Sequence, residues 1–334
     1  MKTGYDVIIV GAGPGGLSCA ENLKDSALSV LLIEKNSIIG PKICAGGLTY
    51  LTSDFSIPSS QSRSFAKHHI YVKDKPYEVE LEHPIRTMTR YDLGQYQLGK
   101  IKDAQNITIL TGTSVKEIKN NKIETSKGEF SFKYLVGSDG STSTVRRSLG
   151  LPLKICMGLY YDIQEVTNDF KWYLNPDQFS SGYIWTFPHK EFTNIGIFFN
   201  PERLASIEAK QILQEYLRGQ GYQFSEETYR GAPVNYLYKG FMFNNVFLVG
   251  DAAGLASKTT GEGISFALIS GREVARKILD PAYTMPHMEK LLKIKRRQER
   301  MLDLLDRFPS QQTRLFRLAA YFFKFHRFQR YFGN

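Results

Sequence analysis

Tyr5 to Val10 is a near-continuous apolar, β-branched run that stops abruptly at Gly11, as a strand buried on both faces requires. A helix is expected from about Pro14, and Val30 to Ile33 forms the next strand, ending at Glu34. Far along the chain, Val246 to Val249 is a second short apolar strand, and after a loop a helix is expected over Ile264 to Ile278. Between these pieces the pattern changes. Ile70 to Val72 and Tyr77 to Leu81 alternate as a hairpin does, Tyr160 to Tyr173 and Gly182 to Phe199 also read as strands, and Ser206 to Arg218 reads as a helix between sheet strands. Because the two patterns interleave, a β-sheet domain inserted into a parallel α/β domain is expected.

In the sequence Gly11-Ala12-Gly13-Pro14-Gly15-Gly16, Gly11 permits a tight turn, Gly13 lets the backbone approach a pyrophosphate, and Gly16 allows the helix to pack closely on the strand. The N–H groups and positive dipole end of that helix then face the phosphates. Glu34, about 20 residues beyond the glycines, is placed to accept hydrogen bonds from an adenosine ribose. Strand, turn, helix and acidic residue in this order indicate a dinucleotide site, without separating FAD from NAD. A second glycine-rich segment runs from Phe247 to Gly263. Asp251 there can accept from a ribityl or pyrophosphate region, and N–H groups at the helix opening after Gly261, at Gly263 and Ile264, can sit against a flavin pyrimidine oxygen. Between the two segments, Val136-Gly137-Ser138-Asp139-Gly140, followed by Ser143 and Arg146, is in itself a strand and an Asp-Gly turn.

Together, GAGPGG with Glu34, the segment from Asp139-Gly140 to Arg146, and LVGDAAG with GEGI resemble the flavoproteins built like para-hydroxybenzoate hydroxylase. Within that group, Ser181 to Pro188 (SGYIWTFP) resembles the YxWxFP signature of the geranylgeranyl reductase family, and Lys42 to Gly47 (KICAGG) its Lys-x-Cys-Gly-Gly stretch. The similarity covers roughly residues 5 to 280. It departs at Lys258, where many relatives carry proline and where lysine is similar to the plant and cyanobacterial geranylgeranyl reductases, and at Ala45, which replaces a glycine. The resemblance implies a Rossmann-like FAD-binding domain, which the interleaving divides into three pieces, 1–50, 85–153 and 240–280, with an inserted antiparallel β-sheet substrate domain from 51–84 and 154–239. A basic C-terminal helical segment, 281–334, follows. It also implies a flavin contact for Arg90, which precedes Tyr91-Asp92-Leu93, and a cofactor role for Asp251. The full set expected at the cofactor is Gly11, Gly13, Pro14, Gly16, Glu34, Lys35, Lys42, Ala45, Gly46, Arg90, Asp139, Gly140, Asp251, Gly261, Gly263 and Ile264.

The length of 334 residues allows about two domains. Three dispersed cysteines, Cys19, Cys44 and Cys156, are too few for a disulfide framework or a sulfur-ligated metal cluster, so no metal and a cytoplasmic compartment are expected. The first residues read as a strand rather than a signal peptide, and no run approaches a membrane span. Charge is uneven: residues 281–334 hold twelve Lys or Arg against four Asp or Glu, which is eight of the net ten positive charges. In this tail Leu315, Leu318, Phe322 and Phe325 fall on one helical face, extended by Tyr321 and Phe328, while Arg317, Lys324, Arg327 and Arg330 group largely on the other. Such a helix suits either a peripheral position on an anionic membrane at the cytoplasmic face or packing on the enzyme. No recognisable nucleic-acid module accompanies the charge.

With a single dinucleotide fingerprint, flavin is the resident cofactor, and NAD(P)H or another reduced carrier has to serve as a transient electron donor. The family resemblance implies delivery of hydride from reduced FAD to a carbon–carbon double bond in a prenyl chain of a lipid or isoprenoid. An isolated alkene has no carbonyl to hold negative charge, so a positioned acid is needed. Cys44 is the favoured donor, with a buried structural thiol as its alternative. Tyr183 and Trp185 alternate to one face of their strand, where they either line an apolar channel or fill the sheet core. His189 reads as a polar loop residue, with proton relay as the alternative. Two other activities suit this architecture: a flavin monooxygenase or halogenase, since GYIWTFP also resembles the Trp-x-Trp-x-Ile-Pro of flavin halogenases with Tyr183 at the first tryptophan, and a flavoprotein passing electrons to a membrane quinone.

Overall fold

Val7 to Val10 pair in parallel with Val30 to Ile33 on one side, and with Tyr134 to Gly137 on the other. A strand so flanked, with both faces covered, has no solvent side, which is why its sequence is continuous apolar rather than alternating. The computed structural model describes residues 2–331 and holds two sheets. The first has a parallel core in the order Val246–Leu248, Gly128–Gly137, Gly4–Val10, Val30–Ile33 and Ile107–Leu110. A hairpin of Val115–Lys119 and Lys122–Thr125 folds back onto Gly128–Gly137.

The helix Pro14–Leu23 lies against Ile264–Leu279. Their backbones touch at Gly15 and Gly271, where a Cβ on Gly271 would collide with the Gly15 carbonyl. In the same seam the Ser18 hydroxyl donates to the Leu268 carbonyl at 2.8 Å. Two short glycine stretches thus bring the distant glycine-rich segments side by side.

The second sheet runs Arg230–Asn235, Ile155–Ile163, Thr193–Phe199, Tyr183–Pro188, Lys171–Leu174, Arg63–Val72, Lys75–Thr87 and Gly47–Leu48. It is antiparallel except where Lys171–Leu174 meets Arg63–Val72. Alternation divides its faces. Leu159, Tyr161, Ile184, Ile195 and Ile197 pack under the helix Ser206–Gly219 through Ala209, Leu213 and Leu217. Tyr160, Tyr183, Trp185, Phe187 and Phe198 face the other way, toward the nucleotide-binding sheet.

Two expectations change. The stretch Tyr160 to Tyr173 is two strands, because the intervening loop is held by side chains: the Thr167 N–H donates to the Thr193 hydroxyl at 3.0 Å, and the Arg63 guanidinium donates to the Thr167 carbonyl at 2.9 Å. The hairpin is also longer than its apolar alternation, because Lys67, Glu78 and Glu80 pair on its outer face and blur the pattern.

Beyond residue 281 lie helices Pro286–Arg307, Gln312–Phe322 and His326–Tyr331. Leu302, Leu305, Phe316 and Ala320 pack on the hairpin through Phe65, Ile70 and Val79. Buried Lys295 donates to the Tyr236 and Ala256 carbonyls at 3.0 and 2.7 Å, tying the long helix to the body. Of the stripe read from sequence as one face, Leu315 packs on the hairpin, but the rest of it is not the docking face. Leu318, Phe322 and Phe325 are 51%, 42% and 50% exposed, whereas Phe316 and Ala320 are buried. A small alanine permits the close approach, and Leu318, Tyr321, Phe322 and Phe325 point to solvent.

Candidate functional site

One cavity of ≈ 870 Å³ runs between the two sheets and on beneath the C-terminal helices. This lies toward the upper end of the ~300–1,000 Å³ usual for small-molecule and cofactor sites. Among the residues expected at the cofactor, all but Gly16 line this cavity, and Cys44, Tyr183 and Trp185 line it too. Gly16 lies beneath, where a Cβ would strike the Gly11 carbonyl.

At one end the turn after Gly4–Val10 opens the helix Pro14–Leu23. Gly11 has φ +99°, and a Cβ there would come within 2.5 Å of the Ser138 carbonyl oxygen. Gly13 is the N-cap and offers no side chain, so the first helical N–H groups are left for a ligand. The Glu34 carboxylate accepts from the Ala12 N–H at 2.8 Å and the Asn36 N–H at 2.9 Å, which fixes it at the cavity wall beside exposed Lys35.

Asp139 is largely occupied by its own loop: it accepts from the Ser143 hydroxyl and from the Thr144 and Val145 N–H groups, capping the helix Thr144–Ser148, while Gly140 continues the turn with φ +82°. Burial raises its carboxyl above the ordinary aspartate range against these bonds. Arg146 is fully buried and donates to the Pro152, Ala252 and Leu237 carbonyls, so its charge holds three loops together.

Asp251 accepts from Lys42 Nζ at 3.2 Å and from the Ser141 hydroxyl at 3.1 Å. This pair bridges the Gly40–Gly47 loop and the short turn Gly250–Ala253. Gly263 caps Ile264–Leu279 without a side chain, so Ile264 presents a second helix opening to the cavity. Gly261, φ +66°, lies against the aromatic wall, where a Cβ would be 3.2 Å from the Tyr183 hydroxyl oxygen. Glu262 accepts from the Thr49 hydroxyl at 2.5 Å and from the Ser265 hydroxyl, and its burial raises its carboxyl. Lys258 reaches the long C-terminal helix through Asp303 at 3.0 Å.

Arg90 begins the helix Arg90–Gly99 under a Thr89 cap. The residue is 8% exposed and lines the cavity. Its buried Nε meets no partner among the described residues. A buried guanidinium with a donor to spare calls for an acceptor from a ligand. That donor, the two side-chain-free helix openings and the carboxylate of Glu34 together fit an FAD.

Cys44 is half-buried in the loop above this end, and the Gly46 N–H approaches its Sγ at 3.4 Å. The Tyr160 phenol lies against the Cys44 backbone. Gly46, φ +76°, is packed on Met88, whose N–H donates to its carbonyl at 3.0 Å. His189 is not an exposed loop residue. It sits in a hairpin turn but is 4% exposed, its ring stacks on Phe192, and its Nε2 meets the Ala45 carbonyl at 3.0 Å. A carbonyl only accepts, so Nε2 carries the proton. Burial pushes the imidazole down to about 4.

The Tyr183 hydroxyl donates to the Thr260 carbonyl, and burial raises its pKa well above the ordinary phenol, so its proton is committed to that turn. Trp185 Nε1 donates to Asn194 Oδ1 at 2.7 Å, and its ring covers Gly196, where a Cβ would strike it. Both residues therefore present apolar ring surface to the cavity. Sequence reading missed Tyr160, Phe187, Phe198, Trp172 and His68 on the same wall. Strand alternation was the signal for Phe187 and Phe198. Among the described residues there is no cluster of His, Cys, Asp or Glu able to hold a metal, and no helix long and apolar enough to cross a membrane.

Comparison with known proteins places this geometry. The FAD binding domain family matches residues 100–283, and the pyridine nucleotide-disulphide oxidoreductase family residues 8–148. An uncharacterized protein of Methanosarcina barkeri is 31% identical over 294 residues, 82% of this chain and 74% of that one. The digeranylgeranylglycerophospholipid reductase of Methanocella arvoryzae is 29% identical over 304 residues, 81% of this chain and 76% of that one. A solved structure described as geranylgeranyl bacteriochlorophyll reductase-like, from Thermoplasma acidophilum, shares the fold with a TM-score of 0.82 at 23% identity, over 97% of this chain and 92% of that one. The chain is thus an FAD-dependent oxidoreductase and belongs to the FAD binding domain family, whose match spans more than half of its length.

Proposed function

We propose that this protein hydrogenates carbon–carbon double bonds of a prenyl chain carried on a lipid or isoprenoid. The observation that carries this reading is the continuity of the cavity: the glycine turns and Arg90 line one end, and the same space passes Tyr183, Trp185 and Phe187 into an apolar tunnel. The relatives named as digeranylgeranylglycerophospholipid reductases support it.

Bound and reduced, FAD supplies the hydride. The chain's own residues do the rest. The N–H groups of Gly13 and Gly15 would hold the pyrophosphate, Glu34 the ribose, and Arg90 with the Gly263–Ile264 opening the flavin ring. Tyr183 fixes the 257–263 turn through Thr260, and with Trp185 keeps water away from the alkene. Cys44 delivers the proton that completes the saturated carbon, and solvent returns a proton to its sulfur. Two electrons per double bond then come from NAD(P)H or another reduced carrier.

The exposed Leu318, Tyr321, Phe322 and Phe325, with basic Arg317 and Lys324 alongside, form a peripheral contact with an anionic membrane at its cytoplasmic face. The inner face of the same helix, through Phe316, Ala319 and Ala320, lines the tunnel, so a chain leaving the bilayer has a short path inward. Anaerobic incubation of the reduced, FAD-loaded protein with a geranylgeranylated lipid, followed by mass spectrometry, tests the activity. Mass gains in steps of two hydrogens support it; an unchanged lipid with substrate-stimulated oxygen uptake in air assigns a monooxygenase instead.

A further inference from the structure

His68 is 2% exposed and lines the cavity far from the glycine turns. A β-bulge between Phe65 and Lys67 brings Phe65, His68, Ile70 and Val72 onto one face of their strand, where His68 is the single polar side chain among them. Its ring packs edge-on to Trp172 at 4.6 Å and beside Phe170 at 6.4 Å. Neither Nδ1 nor Nε2 has a hydrogen-bond partner among the described residues. An N–H over an aromatic face is a weak substitute, and it leaves the lone pair of the other nitrogen unmet. A structural histidine would be hydrogen-bonded, and an apolar residue would fill this place without the desolvation cost.

The surroundings also fix the charge of whatever His68 meets. Burial and neighbouring His69 hold the imidazole at about 3, hence neutral. Among the described residues, the lysines and arginine that line the cavity, Lys35, Lys42 and Arg90, all belong to the cofactor end. A diphosphate buried beside a neutral ring and two aromatic residues would have no counter-charge.

Resting on the prenyl-chain reading, we propose that His68 is a specificity-determining residue that hydrogen-bonds an uncharged oxygen of the substrate, a hydroxyl, ether or carbonyl at the head of the chain, and so selects against prenyl diphosphates. The oxygen-bearing head then lies at the far end of the cavity, and the chain runs from it past Phe187 and Trp185 toward the flavin.

The test is binding to the FAD-loaded protein, followed by quenching of Trp172 and Trp185 fluorescence, for geranylgeraniol, the hydrocarbon of equal length and geranylgeranyl diphosphate. The wild type is expected to bind the alcohol at least tenfold more tightly than the other two. His68→Phe and His68→Leu are expected to abolish the preference over the hydrocarbon and, without ligand, to melt no lower than wild type, because each removes an unmet polar group. Equal binding of alcohol and hydrocarbon by the wild type, tighter binding of the diphosphate, or a preference that survives in both variants would overturn the role of His68. Failure to bind any of the three would overturn the prenyl-chain reading itself, and this inference with it.

Discussion

His189 donates from Nε2 to the Ala45 carbonyl at 3.0 Å, so a buried neutral imidazole holds the loop that carries Cys44. Its folded-state value, about 4, lies below the ordinary 6.5. Above 6.5 the ring is neutral whether the chain is folded or unfolded, and stability is at its full value. As pH falls from 6.5 toward 4 only the unfolded chain takes up the proton, so stability is lost across that window, by about 3 kcal/mol at most. His68, held at about 3, adds to this loss and extends it to lower pH. His189→Gln keeps an N–H donor without the titration. Denaturant unfolding at several pH values is expected to show a shallower fall for this variant than for wild type; equal slopes would mean that His189 is not buried neutral.

Arg90 is buried with an unmet donor, so its removal is expected to cost the cofactor and not the fold. A charge-assisted hydrogen bond contributes about 1.5–3 kcal/mol, which corresponds to a roughly 10- to 100-fold weaker FAD complex for Arg90→Met. Flavin fluorescence titration reads the affinity, and the melting temperature of the FAD-free protein should not fall. A large drop in that temperature with unchanged FAD affinity would make Arg90 structural.

The elements around the cofactor were legible because their constraints are local. A strand covered on both faces must be continuously apolar, and the turn at Gly11 needs a positive φ that glycine adopts freely. The tunnel wall was less legible. Whether His68 faces inward depends on a bulge at Phe65 and on pairing with Val79, neither of which leaves a mark in local composition. The C-terminal segment shows a further limit: Phe316 and Ala320 form the packed face while the more apolar stripe of Leu318 and Phe322 is exposed, because helical periodicity identifies faces but not their neighbours. The buried position of His189 follows from the hairpin fold-back of Thr193–Phe199, again a long-range cause.

Cys44→Ser replaces the proposed proton donor by a far weaker acid of similar size. General acid catalysis contributes about 10²–10⁴-fold, so alkene reduction is expected to slow by about 100-fold or more. FAD affinity should be unchanged, since the roles assigned to the cofactor's contacts lie elsewhere. Full alkene reduction by the FAD-loaded variant would remove Cys44 as the donor.

Phe322→Ser and Phe325→Ser remove exposed aromatic surface without touching the packed face. Each buried phenylalanine is worth about 1.5–3 kcal/mol of transfer, so the double variant is expected to lose about tenfold or more in partitioning to anionic liposomes. Flotation assays at low and high salt check this, the basic residues making the wild-type binding salt-sensitive. Unchanged flotation would leave this surface without a membrane role.

Prenyl-chain reduction is tested most directly by anaerobic single turnover of the dithionite-reduced, FAD-loaded protein, following the return of oxidised flavin absorbance on addition of a geranylgeranylated lipid. Reoxidation without oxygen is expected, one flavin equivalent for each double bond lost. A flavin that stays reduced until oxygen is admitted, whatever the lipid, would contradict it.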